Sequence, residues 1–317
     1  MEMTIMDRVT APVSRMIYGA AIRPLCEGVG ADDILDAAYE AGVTTFDTAR
    51  SYGLSERELG KWVARRGLRQ KINILTKGCN PHQTGLRFTP ESLRGELEES
   101  LKQLDTPYAD FYALHRDDET RDVGVFIDTL NGFAAEGKIR LFGASNWTWK
   151  RMDDANRYAA NHGMMGFSFG SPAFSLAEVA RDPWGGSVHL SGADNRDARA
   201  WFRDSGIPVF AYSSFARGFF SGKFRTGQNP EDVLPWGACQ EYVCPENMER
   251  LRRAEILAEE KNLTVGQINL AWILTRDFDC HPIFSPSTRP HLEENLRGLT
   301  VKLTPREQAW LNLETDI

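Results

Sequence analysis

The chain has 317 residues, 42% of them apolar and 26% charged, enough to bury a core without disulfide or metal staples. A net charge of −7, from 37 basic and 44 acidic side chains, argues against a nucleic-acid surface, which needs a basic face. No run of 18 apolar residues and no leader-type segment occurs, so a membrane role is not expected.

Taken in chain order, short apolar or β-branched runs alternate with amphipathic helices every ~30–40 residues, the rhythm of βαβ units. The spacing predicts strands over 16–20, 43–47, 72–76, 110–114 and 139–144, a weaker one over 165–169, and two more over 207–212 and 281–284. Helices are predicted over 32–41, 123–136, 148–160, 196–203, 248–261 and 264–275. Ser55-Glu56-Arg57-Glu58, Thr264-x-x-Gln267 and Thr304-Pro305-Arg306-Glu307 read as capping boxes. Thr89-Pro90 opens a helix that carries Leu93, Leu97, Leu101 and Leu104 on one face. Eight strands alternating with helices predict an α/β fold, a closed (β/α)8 barrel in a single domain over residues 1–317. A doubly wound open sheet is the rival, but Gly28-Val29-Gly30 lacks the third glycine of a dinucleotide fingerprint and follows no strand.

The five cysteines, Cys26, Cys79, Cys239, Cys244 and Cys280, contain no C-x-x-C pair. Free thiols in a reducing cytoplasm are expected, although Cys239 and Cys244 are close enough in sequence to bridge. The six histidines, His82, His115, His162, His189, His281 and His291, have no metal-ligand spacing.

Three chemically capable side chains fall at successive strand ends: Asp47, Lys77 and His115, with Tyr52 in the loop just after Asp47. Barrel enzymes build their sites there. The four types suit carbonyl reduction. Hydride arriving at a carbonyl carbon leaves an alkoxide that needs a proton, and a tyrosine can give one. A nearby ammonium should draw the phenol's pKa down toward the working range. Asp47 would keep a buried Lys77 charged, and His115 would donate a hydrogen bond to the carbonyl oxygen. A lysine inside a barrel also admits a Schiff base of the aldolase kind.

Several segments then coincide with one family. Phe46-Asp47-Thr48-Ala49-Arg50-Ser51-Tyr52-Gly53, Leu75-Thr76-Lys77, Leu114-His115-Arg116, Phe142-Gly143-Ala144-Ser145-Asn146, Tyr212-Ser213-Ser214-Phe215-Ala216-Arg217-Gly218, Ser221-Gly222-Lys223 and Leu292-Glu293-Glu294-Asn295 follow in order along the chain. Together they resemble the aldo-keto reductases, in their bacterial form. The resemblance implies a TIM-type barrel with a short N-terminal β-hairpin and extra helices, an Asp47-Tyr52-Lys77-His115 tetrad, and NADP(H) or NAD(H) bound without a Rossmann domain. Carried over by position, Ser145 and Asn146 would hold the nicotinamide carboxamide and Tyr212 would stack on its ring. Ser213, Ser214, Phe215, Arg217 and Gly218 would wrap the pyrophosphate, with Arg217 as counter-ion. Gly19 and Ala20 would line the floor, and Ser285, Ser287, Thr288 and Asn295 the adenosine end.

Two departures from the family pattern bear on the cofactor. Ser171 stands where the family often has Gln or Asn. Ser285 and His291 stand where NADPH-preferring members carry Lys and Arg, with Arg289 the nearest basic residue. The resemblance therefore leaves NADPH and NADH both open. Arg23, Trp147, Trp184 and Trp236 are the candidate substrate walls, beside Tyr52 and His115. Leu114-His115-Arg116-Asp117-Asp118 is similar to members linked to sugar and polyol metabolism. A nicotinamide-sensing subunit with little turnover is the alternative reading of the same family.

Overall fold

The computed structural model describes residues 1–80 and 88–316, so His82 lies outside the described residues. The chain divides into two compact units, residues 1–171 with 285–287 and residues 172–284 with 288–317.

The first unit opens with a hairpin of β1 (Met3–Thr4) against β2 (Val13–Ser14). Parallel strands follow, each separated from the next by helix: β3 (Ile17–Gly19), β4 (Thr45–Asp47), β5 (Asn73–Gly78), β6 (Ala109–Leu114), β7 (Ile139–Ser145) and β8 (Gly170–Ser171). The helices are α1 (Arg23–Cys26), α2 (Asp32–Glu40), α3 (Ser55–Arg66), α4 (Pro90–Gln103), α5 (Val123–Ala135) and α6 (Trp149–Asn161). These strands are almost wholly buried on both faces, as parallel strands under helices must be, with Arg140 of β7 exposed. At β7, a Cβ on Gly143 would lie 2.4 Å from the carbonyl oxygen of Phe169, so only glycine allows the close approach.

The second unit carries β9 (Val209–Ala211) parallel to β10 (Cys280–Phe284). Its helices are α7 (Arg196–Ser205), α8 (Pro230–Val233), α9 (Trp236–Tyr242), α10 (Pro245–Lys261), α11 (Val265–Leu274), α12 (Arg289–Arg297) and α13 (Pro305–Leu311). The strands from β3 to β10 run in sequence order and close into the expected (β/α)8 barrel. None of the helices in the described residues is long and apolar enough to cross a membrane.

Local rules explain most boundaries. Thr89, Thr264 and Thr304 each accept from the backbone three residues on, and the residue there returns the bond. Three expectations need correction. Ser55 is not a cap: the N-cap of α3 is Leu54, and the Ser55 hydroxyl instead donates to the carbonyl of Ala20 at 2.8 Å. The strand sought at 165–169 forms one step later, as β8, and Phe167 and Phe169 of the expected run are buried against the rings of Phe142 and Phe111. Helix α10 starts three residues early, at Pro245, whose missing N–H suits the first turn.

Candidate active site

Asp47 ends β4, Lys77 sits one residue from the end of β5, and His115 directly follows β6. The pairing of Gly19 with Asp47 and of Lys77 with Ala113 sets these positions side by side at one end of the first unit's strands. The Lys77 ammonium donates to Asp47 Oδ1, to the carbonyl of Thr48 at 2.9 Å and to the Tyr52 hydroxyl at 3.5 Å. The rings of Tyr52 and His115 meet edge to face, 5.7 Å apart, and Ser51 Oγ lies 3.5 Å from His115 Nδ1. Four groups separated by up to 68 positions in the chain thus form one contiguous cluster. Gly53 makes the Tyr52 turn possible: its φ is +58°, and a Cβ there would sit 2.6 Å from the Cys26 carbonyl.

Electrostatics follow from burial. Asp47 and Lys77 are each 3% exposed. Burial pushes the Asp47 carboxyl above its usual range, with Lys77 opposing. Burial alone would discharge Lys77, but Asp47 and Tyr52 outweigh it and hold the ammonium above the ordinary lysine value. Tyr52 departs from expectation: burial outweighs the neighbouring ammonium and pushes its phenol up, so the hydroxyl keeps its proton. His115 is held well below its usual pKa by burial, then by Lys77 and Arg116. It is a neutral imidazole at pH 7, with one N–H to give.

Of the other residues singled out in the first unit, Gly19 and Ala20 are buried beside Asp47, and the Ala20 amide donates to the Asp47 carbonyl at 2.7 Å. Ser145 Oγ donates to the Ser171 carbonyl at 2.8 Å. Asn146 holds φ +58°, which asparagine tolerates, and its amide reaches the His115 carbonyl at 3.1 Å and Ser145 Oγ at 3.2 Å. Ser285 and Ser287 are exposed. Arg23 points into solvent and pairs with Glu27. Trp147 is not at a surface at all: it is 3% exposed and wedged edge-on between Phe126 and Phe167.

In the second unit, Tyr212 is half-buried and bridges to Ala173. Ser214 Oγ donates to the Ala211 carbonyl, and Asn269 holds the Ser214 carbonyl at 2.8 Å. Ser213, Ala216 and Arg217 all have left-handed φ, near +50°. Phe215 is half-buried, and its ring lies 3.4 Å from where a Cβ on Gly266 would stand. Gly218 continues the left-handed run at φ +99°. Arg217 already has a counter-ion, since its Nε donates to the buried Glu241 carboxylate at 2.6 Å and its guanidinium lies 4.1 Å from the Trp184 ring. Trp184 and Trp236 meet edge to face and are 47% and 66% exposed. Thr288 is exposed and Asn295 half-buried.

Sequence reasoning missed the Thr48 carbonyl as a third Lys77 acceptor, because a backbone acceptor leaves no mark on residue type. It also missed Glu241, which lies 24 positions from its partner. The five cysteines are all free.

A parallel barrel with a buried Lys–Asp pair, a phenol and a neutral imidazole at neighbouring strand ends is the framework of a barrel oxidoreductase. The model of the Aldo/keto reductase family matches residues 29–312, running through both units, and the chain belongs to that family. It is 28% identical over 282 residues to an aldo-keto reductase, str7, of Strobilurus tenacellus, covering 87% of this chain and 78% of that one. It is also 28% identical over 298 residues to a probable aldo-keto reductase 1 of Glycine max, with 92% and 80% covered. A third relative, the aldo-keto reductase yakc [NADP(+)] of Schizosaccharomyces pombe, is 28% identical over 281 residues, with 86% and 78% covered.

Proposed function

We propose that this protein interconverts a carbonyl compound (an aldehyde, ketone or ketosugar) and its alcohol with a nicotinamide cofactor, and that Tyr52 is the acid–base group. The observation that carries this reading is the Lys77 ammonium bonded at once to Asp47 and to Tyr52, with His115 against the same phenol. The cofactor, when bound, supplies or accepts the hydride. In reduction, the Tyr52 hydroxyl gives its proton to the carbonyl oxygen as negative charge develops there. The ammonium 3.5 Å away stabilises the phenolate left behind. Asp47 keeps that ammonium charged in a site where burial would discharge it. The neutral His115 donates to the same oxygen and sets its direction. A phenol held protonated is the form that reduction requires. A lysine held as ammonium is the wrong form for a Schiff base, which needs a free amine.

The donor chemistry fits a dinucleotide in each unit taken by itself. In the first, Ser145 and Asn146 present hydroxyl and amide groups at the end of β7, beside His115. In the second, the guanidinium of Arg217 uses Nε for Glu241, and its terminal amino groups would serve a phosphate in the 213–218 loop. Ser171, Ser285 and the exposed Arg289 favour neither nucleotide strongly, so use of both is proposed. The five free cysteines fit a cytoplasmic setting.

The test follows reduced-nicotinamide absorbance with NADPH and NADH over aldehydes, ketones and ketosugars, alongside Tyr52→Phe. Turnover by the natural chain and a loss of about a thousandfold in kcat in the variant are expected. Equal turnover in Tyr52→Phe would refute the assignment, and tight nucleotide binding with no turnover on any carbonyl would replace it with a sensing role.

A further inference from the structure

We propose that Asp117 and Arg151 are a positioning pair for His115, holding the loop that carries it against the start of α6. The inference rests on the reductase reading for the role of His115, while the pair itself is a matter of geometry. His115 opens the loop from β6 to α5. Arg151, on the first turn of α6, lies across that loop. Its Nε donates to Asp117 Oδ2 at 2.9 Å, and its Nη2 to the carbonyls of Asp118 at 3.1 Å and Arg121 at 2.6 Å. Asn146 adds a fourth tie, from the end of β7 to the His115 carbonyl. The guanidinium rests 5.1 Å from the centre of the Trp147 ring, which is itself locked between Phe126 and Phe167. One arginine therefore fixes both ends of the loop to a rigid aromatic base.

The carboxylate in this pair is costly. The Asp117 side chain is 8% exposed, and its other oxygen, Oδ1, is buried with no hydrogen-bond partner among the described residues. A purely structural tie to Arg151 needs no such group, because the two carbonyl bonds already anchor the loop. Burial pushes Asp117 up to about 6, against Arg151 and the Asp118 amide, with Glu119 adding to the rise. The charged groups around it are Arg151 from α6 and, on its own loop, Asp118, Glu119 and Arg121, the last paired with Asp118 at 3.8 Å. Arg116 acts on His115 instead.

The sign of the linkage separates positioning from stability. A carboxyl raised in the folded state binds protons more readily there than in the unfolded chain. The fold therefore loses stability as pH rises from about 4 to 6, and gains it as pH falls. Protonation below pH 6 removes the charge from the Arg151 pair and slackens the loop. Activity and stability should thus move in opposite directions across this window. His115 is itself held well below its usual range, by burial first and then by Lys77 and Arg116, so the Asp117→Asn variant is what tells the two groups apart.

The experiment is Asp117→Asn, read by kcat against pH, cofactor Kd and thermal midpoint. In the natural chain kcat should fall along an acid limb near pH 6. In the variant that limb should vanish, with kcat lowered about tenfold at pH 7.5, cofactor Kd unchanged and the thermal midpoint unchanged or higher. A variant with the natural kcat and acid limb, or one whose lost activity follows a lowered midpoint, overturns the proposal. A second readout needs neither turnover nor the variant. With 5-fluorotryptophan incorporated, the Trp147 fluorine resonance, assigned through Trp147→Phe, should shift with a midpoint near pH 6. A resonance flat from pH 5 to 8 overturns the pair, whatever the enzyme is found to reduce, whereas a shifting resonance in a chain that reduces nothing leaves the pair standing and removes the reductase reading.

Discussion

Two of the first unit's buried carboxylates, Asp110 and Asp47, are treated in opposite ways. Asp110, near the start of β6, is 0% exposed and saturated with donors. Its Oδ1 accepts from the Thr10 amide at 3.0 Å and the Thr10 hydroxyl at 2.5 Å, its Oδ2 accepts from the Ile74 amide at 2.9 Å, and Arg69 forms an ion pair with Oδ2 at 3.0 Å. Asp47, at the end of β4, is nearly as buried but leans on Lys77 alone among side chains, and burial lifts its pKa. Three hydrogen bonds and an ion pair hold the Asp110 carboxylate in one place. One shared ammonium makes an anion whose charge is still negotiable, and that ammonium in turn faces a phenol. The first arrangement suits the stability face of a barrel and the second its chemical face.

Exchanging the two roles should fail, and the failure can be measured. Asp47→Asn removes the group that keeps Lys77 charged. Lys77, 3% exposed, should then lose its proton near neutral pH, and kcat should drop by about two to three orders of magnitude. Stability should change by less than ~1 kcal/mol, because the lysine escapes the cost of an unpaired charge by becoming neutral. Asp110→Asn should do the reverse. An amide there meets three hydrogen-bond donors with only one acceptor oxygen and leaves Arg69 without its ion-pair partner, at a cost of about 3 kcal/mol in urea denaturation. Activity per folded molecule should stay within about twofold. If Asp47→Asn instead lowers stability by as much as Asp110→Asn does, the distinction between the two faces is wrong.

The sequence made one of these faces far easier to read than the other. Asp47, Lys77 and His115 stood at the ends of apolar runs, and strand periodicity alone placed them at one level of the barrel. Tyr52 was legible only by its place in the loop just after Asp47; the left-handed Gly53 turn that presents it came with the structure. Asp110 was read only as the first residue of a strand, because its partners Thr10 and Arg69 are 100 and 41 positions away and no local pattern joins them. The acidity of Tyr52 was misjudged for a related reason. Residue types show that an ammonium is near, but only coordinates show how completely the phenol is withdrawn from water. Trp147 and Arg217 teach the same lesson. An aromatic ring beside a strand end resembled a substrate wall until it proved to be packed core, and a loop arginine read as a phosphate counter-ion was found already paired through Nε with Glu241.

A third carboxylate sharpens the comparison at its smallest expected effect. Glu56, on α3, is 4% exposed and accepts from the Thr76 hydroxyl at 2.5 Å, on the strand that carries Lys77. Burial outweighs Thr76, Ser100 and Arg50 to raise its pKa. Unlike Asp47, it has no hydrogen bond or ion pair with the phenol or the ammonium among the described residues. If a carboxyl raised by burial serves chemistry only where a reacting group is adjacent, Glu56 is simply a cost to the fold, and the charge can be removed without loss. Because its folded pKa is raised, the folded state holds the proton more tightly than the unfolded chain, so stability is lost as pH climbs above the ordinary glutamate range. Glu56→Gln keeps the acceptor for Thr76 and abolishes the charge. Urea denaturation should therefore find the variant more stable by roughly 1 kcal/mol at pH 7.5, with the gain shrinking toward zero near pH 4.5, and kcat unchanged. A variant less stable at pH 7.5, or one that loses turnover, would place Glu56 with Asp47 as a working part of the site and move the boundary of the chemical face outward to α3.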